Sequence, residues 1–281
     1  MRKLGKFYWL ILIIALFGFT DRTKELKVTY LANCGFLYEN DKGKVIIDPF
    51  GTEYGNFFYL PSEGTKKNID GGSSPFNKID LLLITHIHGD HFNAKLTEGF
   101  LLNNMKAKLI CPPQVYMQME DSCSSFARIE PQIIRLDLSI IGESKRVRIN
   151  DFSVTAIRMQ HGTDRSLEGV SYSDYSDYEK TENYGYVIHF NGKNVFHQGD
   201  ACLKINEKAL KKIECPIDIA HLSYFDWDSV SLNILKRDLK AGTVVFMHGT
   251  KPAKELESEQ FKEIKPQIVF FKQELESRIF N

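Results

Sequence analysis

The stretch His86-Ile87-His88-Gly89-Asp90-His91 packs three imidazoles and a carboxylate into six consecutive residues. Neutral imidazole nitrogen and carboxylate oxygen are donors for zinc, and also for iron or manganese. The spacing is as informative as the residue types. His86 and His88 are separated by one residue, so at the end of an extended strand both rings leave from the same side and can face one ion. Gly89 permits a sharp turn, which can aim Asp90 and His91 at a second ion. Three further candidates stand alone along the chain: His161, Asp200 and His248. Each follows an apolar strand pattern and adjoins a glycine (Gly162, Gly199, Gly249), the place where a rigid scaffold presents a site residue. His221, in Ala220-His221-Leu222-Ser223, closes another apolar run and is expected to face a cleft, touching substrate or donating a proton. His189 and His197 fall in a predicted hairpin and read as structural.

The elements that must hold these groups can be read from the apolar pattern. Leu81-Leu82-Leu83-Ile84 is a buried strand leading into the histidine-rich turn. Upstream, Lys27 to Glu39 and Lys44 to Asp48 read as two strands joined by the turn Asn40-Asp41-Lys42-Gly43. Downstream come a helix from Ala94 to Lys106, a strand Lys108 to Cys111 and a helix Pro113 to Ser122. Strands follow at Ile133 to Leu138, Arg146 to Ile149 and Ser153 to Met159. Tyr184 to Phe190 and Val195 to Gln198 form a hairpin about Asn191-Gly192-Lys193-Asn194. The remainder alternates: helix Leu203 to Ile213, strand Ile217 to Leu222, helix Ser229 to Leu239, strand Thr243 to Met247, helix Glu255 to Ile264, strand Gln267 to Lys272. Two strand-rich blocks with helices around them predict two sheets packed face to face, helices outside. Phe50 to Lys78, with Tyr54, Phe57, Phe58 and Tyr59, reads as a long loop. Gly162 to Asn183, with Tyr172, Asp174, Tyr175, Asp177 and Tyr178, reads as a second loop that shapes specificity.

Composition narrows the classes. With 281 residues, 43% hydrophobic and 26% charged, the chain has enough apolar material for a sizeable core in one domain. Lys+Arg and Asp+Glu are both 36, so the basic footprint of a nucleic-acid binder is missing and no nucleic-acid partner is expected. Met1 to Lys6 is a cationic stub and Phe7 to Phe19 an unbroken run of apolar residues and glycine. Residues 1–20 are therefore expected to be a secretory signal peptide or an N-terminal membrane anchor. That places residues 21–281 as one domain, exported (periplasmic or extracellular) or anchored. The five cysteines, Cys34, Cys111, Cys123, Cys202 and Cys215, contain no C-x-x-C pair and read mainly as small buried hydrophobes. Oligomeric state is not legible.

The order His-x-His-x-Asp-His, a lone His, Gly-Asp, and a final His resembles the metallo-β-lactamase-fold hydrolases. Ile46-Ile47-Asp48-Pro49 is similar to that family's early Asp motif. The resemblance spans nearly the whole chain after the N-terminal segment. It implies an α/β four-layer αββα sandwich and two divalent metal ions, zinc or alternatively manganese or iron. By that resemblance His86, His88 and His161 hold one ion, Asp90, His91 and His248 the other, Asp200 bridges them, and Asp48 braces the histidine turn. The implied chemistry is hydrolysis, in which the ions acidify a water and polarise the scissile group while Asp90 orients the attacking oxygen. An aspartate at position 200, where metallo-β-lactamases carry Cys or Ser, fits lactonases, thioesterases and phosphodiesterases better than penicillin hydrolysis. Tyr30 to Leu37 and Tyr184 to Ile188 are most similar to the subfamily of L-ascorbate-6-phosphate lactonase and the N-acyl-phosphatidylethanolamine phospholipase D-like enzymes. The expected substrate is thus a small ester, lactone or phosphodiester. Two alternatives are a metal-binding or sensing protein without turnover, and a membrane-associated phospholipid phosphodiesterase with a lipid-like substrate.

Overall fold

Runs of Val, Ile, Leu and aromatic residues buried on both faces build two seven-stranded sheets. The computed structural model describes residues 25–52, 58–162, 180–190, 192–223, 226, 228–248 and 267–281. The first sheet contains β1 (Leu26–Ala32), β2 (Gly35–Asn40), β3 (Gly43–Ile47), β4 (Leu81–Leu83), β5 (Lys108–Cys111) and β6 (Ile133–Arg135). The second contains β7 (Ser144–Ile149), β8 (Phe152–Gln160), β9 (Glu182–Phe190), β10 (Lys193–His197), β11 (Ile219–Ser223), β12 (Thr243–Met247) and β13 (Gln267–Val269). The last strand, β14 (Ser277–Phe280), returns to the outer edge of the first sheet beside β1. The sheet orders are β14-β1-β2-β3-β4-β5-β6 and β13-β12-β11-β10-β9-β8-β7. Each sheet begins as an antiparallel meander and continues in parallel, from β3 to β6 and from β10 to β13.

Three apolar layers follow from the period-2 alternation of strands. Between the sheets, Phe36, Tyr38, Val45, Ile47, Leu81 and Leu83 meet Val154, Ala156, Tyr186, Ile188, Val195 and Val245. Leu37, Ile46, Leu82 and Leu109 point the other way, against Ile69, Phe100, Leu101, Val115 and Met119. These last belong to α1 (Glu63–Asp70), α2 (Ala94–Asn103) and α3 (Pro113–Ser122), with the short α4 (Phe126–Ile129) alongside. On the far side, Ile157, Val187, Phe196, Ala220, Leu222 and Val244 cover Ala209, Leu210, Leu232 and Leu235. Those side chains come from α5 (Glu207–Leu210), α6 (Ser229–Ile234) and the wider turn Leu235–Leu239 that continues it. The result is the expected four-layer αββα sandwich.

The sheets are tied together at one end. Tyr184 N donates to Thr85 O at 3.0 Å and Tyr186 Oη to Ile84 O at 2.8 Å, so the second sheet grips the end of β4. His248 N donates to Asn33 O at 3.3 Å and joins β12 to the β1–β2 turn. Asn93 caps α2 by accepting from Leu96 N, which starts a helix directly after the histidine turn.

Three elements differ from the sequence expectation. Lys27 to Glu39 is two strands, not one, turning at Asn33-Cys34 with Asn33 at φ 46°. Only Gly35 marked that turn. The predicted loop Phe50 to Lys78 contains α1, in which Ile69 is the sole strongly apolar residue, so no helical periodicity showed; its start is set by Ser62 accepting from Thr65 N. β14 is an edge strand of mixed polarity that carried no strand signal. All five cysteines are free thiols. Among the described residues no helix is long and apolar enough to cross a membrane. The Phe7 to Phe19 run, the helix expected at Glu255 to Ile264, and Tyr172, Asp174, Tyr175, Asp177 and Tyr178 lie outside the described residues.

Candidate metal centre

The two sheets bring their strand ends together around Asp200. His86, His88, Asp90 and His91 follow β4; Asp48 follows β3; His161 follows β8; Asp200 follows β10; His248 follows β12. Asp200 Oδ2 lies 3.8 Å from His86 Nε2, 3.7 Å from His161 Nε2 and 3.2 Å from His248 Nε2. Its Oδ1 lies 3.2 Å from His91 Nε2. One carboxylate thus stands between two groups of imidazoles. On one side His86, His88, His161 and Asp200 have ligand-type atoms within 4.8 Å of one another. On the other, Asp90 Oδ2 is 3.3 Å from His91 Nε2 and 3.2 Å from His248 Nε2. All seven residues expected to ligate metal are therefore brought together, from segments as far apart as residues 86 and 248.

Neighbours fix which nitrogen each ring turns inward. His91 Nδ1 donates to Asp48 Oδ2 at 2.8 Å, which leaves Nε2 facing the cluster. Asp48 also accepts from Thr85 N at 2.8 Å and from Thr85 Oγ1 at 2.6 Å. With its proton committed to Asp48, the Thr85 hydroxyl accepts from His86 Nδ1 at 3.0 Å and frees His86 Nε2. His88 turns Nδ1 toward His86 Nε2 at 3.1 Å and Nε2 toward Thr181 Oγ1 at 3.5 Å. Asp48 is buried beside the histidine turn and bonds to both Thr85 and His91.

The backbone after β10 is shaped for Asp200. Gly199 has φ 59°, and a Cβ there would meet Thr85 Cβ at 2.9 Å, so the close approach to the histidine turn requires glycine. Asp200 N donates to Asn183 Oδ1 at 3.0 Å, and Asn183 Nδ2 donates to Gln198 O at 3.1 Å. Gln198 Nε2 donates to Asp226 Oδ2 at 2.8 Å, and Asp226 also accepts from Leu203 N and Ser231 Oγ. Asn183 and Asp226 went unnoticed in the sequence, where neither lies beside a ligand. Asn33 was missed for the same reason: its Nδ2 donates to Asp90 Oδ2 at 3.1 Å and to Asp90 O at 3.2 Å, from another strand turn. Phe58, one of the loop aromatics, places its ring 4.5 Å from that of His248. The Cys34 thiol completes a group with His91, Asp200 and His248, all with ligand atoms within 4.8 Å.

His221 is not part of this assembly, contrary to expectation. It is fully buried between the sheets, its Nε2 2.9 Å from Tyr38 Oη and its ring 4.2 Å from that of Phe36. The apolar run made it look like a strand-end residue. β11 in fact continues through Ser223, and its inward-facing positions here pack into the core. His197 Nε2 donates to Cys34 O at 2.9 Å, and His189 bonds Thr155 and Asn194, as structural residues do.

The donor set fits divalent ions. His91 Nε2 and Asp200 Oδ1 are buried without a hydrogen-bond partner, a cost that folded proteins avoid unless something else satisfies such atoms. Burial pushes His86 and His88 down and His161 down to about 3, so these rings are neutral, as ligands must be. Burial opposes charge on His248, but Asp200 raises it to about 9; Asp200 and Asp90 raise His91 in the same way. Burial would lift the Asp90 and Asp200 carboxyls, yet His91 and His248 hold both well below the usual range. Two imidazolium charges thus offset two carboxylates, the charge that one divalent cation carries.

Known proteins resemble this chain in sequence and in fold. A family described as the beta-lactamase superfamily domain matches residues 44–232. A UPF0173 metal-dependent hydrolase of Pyrococcus furiosus is 25% identical over 254 residues, covering 88% of this chain and 96% of that protein. A UPF0173 metal-dependent hydrolase of Agrobacterium fabrum is 27% identical over 193 residues, covering 68% of this chain and 70% of that protein. Among solved structures, the metallo hydrolase Igni18 of Ignicoccus hospitalis has a TM-score of 0.59 at 19% identity, covering 92% of this chain and 99% of its own. An isothiocyanate hydrolase from Delia radicum gut bacteria has a TM-score of 0.56 at 16% identity, covering 90% and 99%. At these identities the two structures share the fold with this chain.

Proposed function

The chain belongs to the beta-lactamase superfamily, and from that premise we propose that it is a metal-dependent hydrolase that uses two divalent ions, zinc foremost, on a small ester, lactone or phosphodiester. The observation that carries the reading is Asp200, whose two oxygens face imidazoles of both groups at 3.2–3.8 Å. His86, His88 and His161 would hold one ion, Asp90, His91 and His248 the other, with Asp200 shared. Bound there, such a pair acidifies a water and polarises the scissile carbonyl or phosphoryl oxygen.

The protein's own groups do the positioning. Asp48 and Thr85 fix the ring orientations of His91 and His86. Asn33 holds Asp90 by its Oδ2, so that its carboxylate is placed to orient the attacking water as well as to ligate. Phe58 sets its ring against that of His248 and gives the site an apolar neighbour. The likeness of Tyr30 to Leu37 and Tyr184 to Ile188 to the L-ascorbate-6-phosphate lactonase and phospholipase D-like subfamily supports the substrate class. The cationic start and the Phe7 to Phe19 run support export or anchoring at a membrane.

The test is a panel of lactones, thioesters and phosphodiesters offered to zinc-loaded and chelator-stripped protein, with metal content measured in parallel. Turnover of one class that vanishes on stripping and returns with zinc is the expected result. Two bound ions with no turnover of any class would instead support a metal-binding or sensing protein.

A further inference from the structure

We propose that Cys34 is a direct metal ligand: its thiolate joins His91, Asp200 and His248 on the Asp90 side of the centre and makes that ion's shell one of mixed sulfur, nitrogen and oxygen. The inference rests on the metal-binding reading above and extends it to a residue that the histidine and aspartate pattern does not contain. The Cys34 side chain is fully buried, and its Sγ lies with a nitrogen of His91, an oxygen of Asp200 and a nitrogen of His248 inside a sphere of mutual distances up to 4.8 Å. Ligand atoms about 2.0–2.3 Å from one zinc stand somewhat closer to one another than that, so small side-chain adjustments suffice.

Two observations beside the thiol point to a ligand here. His91 Nε2 and Asp200 Oδ1 are buried and face each other at 3.2 Å, yet neither makes a well-aligned hydrogen bond. The turn that carries Cys34 is also held in place from the second sheet. His197 Nε2 is 2.9 Å from Cys34 O, and His248 N donates to the neighbouring Asn33 O at 3.3 Å. Asn33 then donates to Asp90 Oδ2. One β-turn thus presents a thiol to the centre and clamps one of its carboxylates. The other buried cysteines, Cys111, Cys123 and Cys202, are not in any such group among the described residues.

A thiolate is a soft donor. It favours zinc over manganese and magnesium, which prefer oxygen. Cys34 is in this way a residue that selects the metal. On binding, the thiol proton leaves to solvent and a metal–sulfur bond forms, with no change of oxidation state.

X-ray absorption at the zinc edge of the zinc-loaded wild-type protein tests this without any variant. The expected result is a sulfur scatterer at about 2.3 Å, the zinc–thiolate distance. In Cys34→Ser that shell should disappear while zinc remains bound and the preference for zinc over manganese narrows; Cys215→Ser should keep the shell. Zinc bound through nitrogen and oxygen alone in the wild type would overturn the assignment and leave the metal centre standing. Failure of the wild-type protein to bind zinc at all would overturn both.

Discussion

Replacing Asp48 by Asn separates two jobs that one carboxylate performs. Asp48 Oδ1 accepts from Thr85 N, and Oδ2 accepts from Thr85 Oγ1 and His91 Nδ1. Asn has the same shape and tolerates the left-handed backbone at this position, φ 43°, as readily as Asp. Only the hydrogen-bond pattern changes. If the amide oxygen keeps Thr85 N, the NH2 group faces His91 Nδ1–H, donor against donor. His91 can escape by moving its proton to Nε2, but Nε2 is the atom that would ligate. If the amide flips, Thr85 N is left facing a donor instead. Losing one charge-assisted bond in a buried place costs about 1.5–3 kcal/mol, or a fall in Tm of roughly 3–12 °C for a chain of this size. Disturbing the partner of a metal-bound histidine costs about 10–100-fold in metal affinity. Thermal unfolding of the metal-free protein reads the first effect, and zinc competition against a chromophoric chelator reads the second. D48N that loses stability but binds zinc with wild-type affinity would show that Asp48 braces the fold and not the ligand, and would refute the tautomer argument.

Asp200→Ala should lose at least one bound ion and nearly all hydrolysis, measured by metal analysis and turnover; both ions retained at full activity would contradict the shared-carboxylate role. His221→Ala should leave metal content at the wild-type level while lowering stability by about 2–4 kcal/mol, because it opens a cavity beside Phe36 and strips Tyr38 Oη of its partner. Calorimetry with metal analysis checks this, and lost metal at unchanged stability would return His221 to the site. Asp226→Asn should flatten the pH dependence of stability. Burial raises the Asp226 carboxyl to about 6, so the folded protein holds more protons than the unfolded chain between about pH 4 and 6. Stability therefore falls as pH rises through that window and stays lower above it, by about 3 kcal/mol. Denaturant midpoints of the two proteins at about pH 4.5 and 7 give the difference; parallel curves would count against the buried charge.

The residues that the strand ends bring together were legible because a parallel strand buried on both faces reads as an apolar run, and its carboxyl end is where such a sheet presents a site. Leu81 to Ile84, Val195 to His197 and Thr243 to Met247 each point at their ligand in this way. The same signal misplaced His221. An apolar run gives no sign of which residue is last, and one more residue of β11 turns a cleft position into a core one. Helix α1 was hidden because its polar sequence lies on the surface, and cap chemistry, not periodicity, sets it. Asn33 and Cys34 act across the two sheets, and Asn183 and Asp226 act between neighbouring segments of the second. No spacing along the chain encodes either proximity, since it appears only when the strands have paired and the sheets have packed.

That pairing also holds three left-handed residues at the centre. Asn33, Asp48 and His248 all adopt left-handed conformations, at φ 46°, 43° and 57°. Each such residue costs on the order of 1–3 kcal/mol unless its surroundings enforce it. All three sit at strand ends where one sheet meets the other, and each is held by a bond to a neighbouring segment: Asn33 O accepts from His248 N, and Asp48 N donates to Leu83 O. The left-handed residue turns the chain sharply, so that a side chain leaving the strand points into the space between the sheet ends and not along the strand. A histidine-rich turn on a single sheet could gather His86, His88, Asp90 and His91, with Asn33 of the same sheet anchoring Asp90, but it could not supply His161, Asp200 or His248. The centre is thus a property of two sheets meeting.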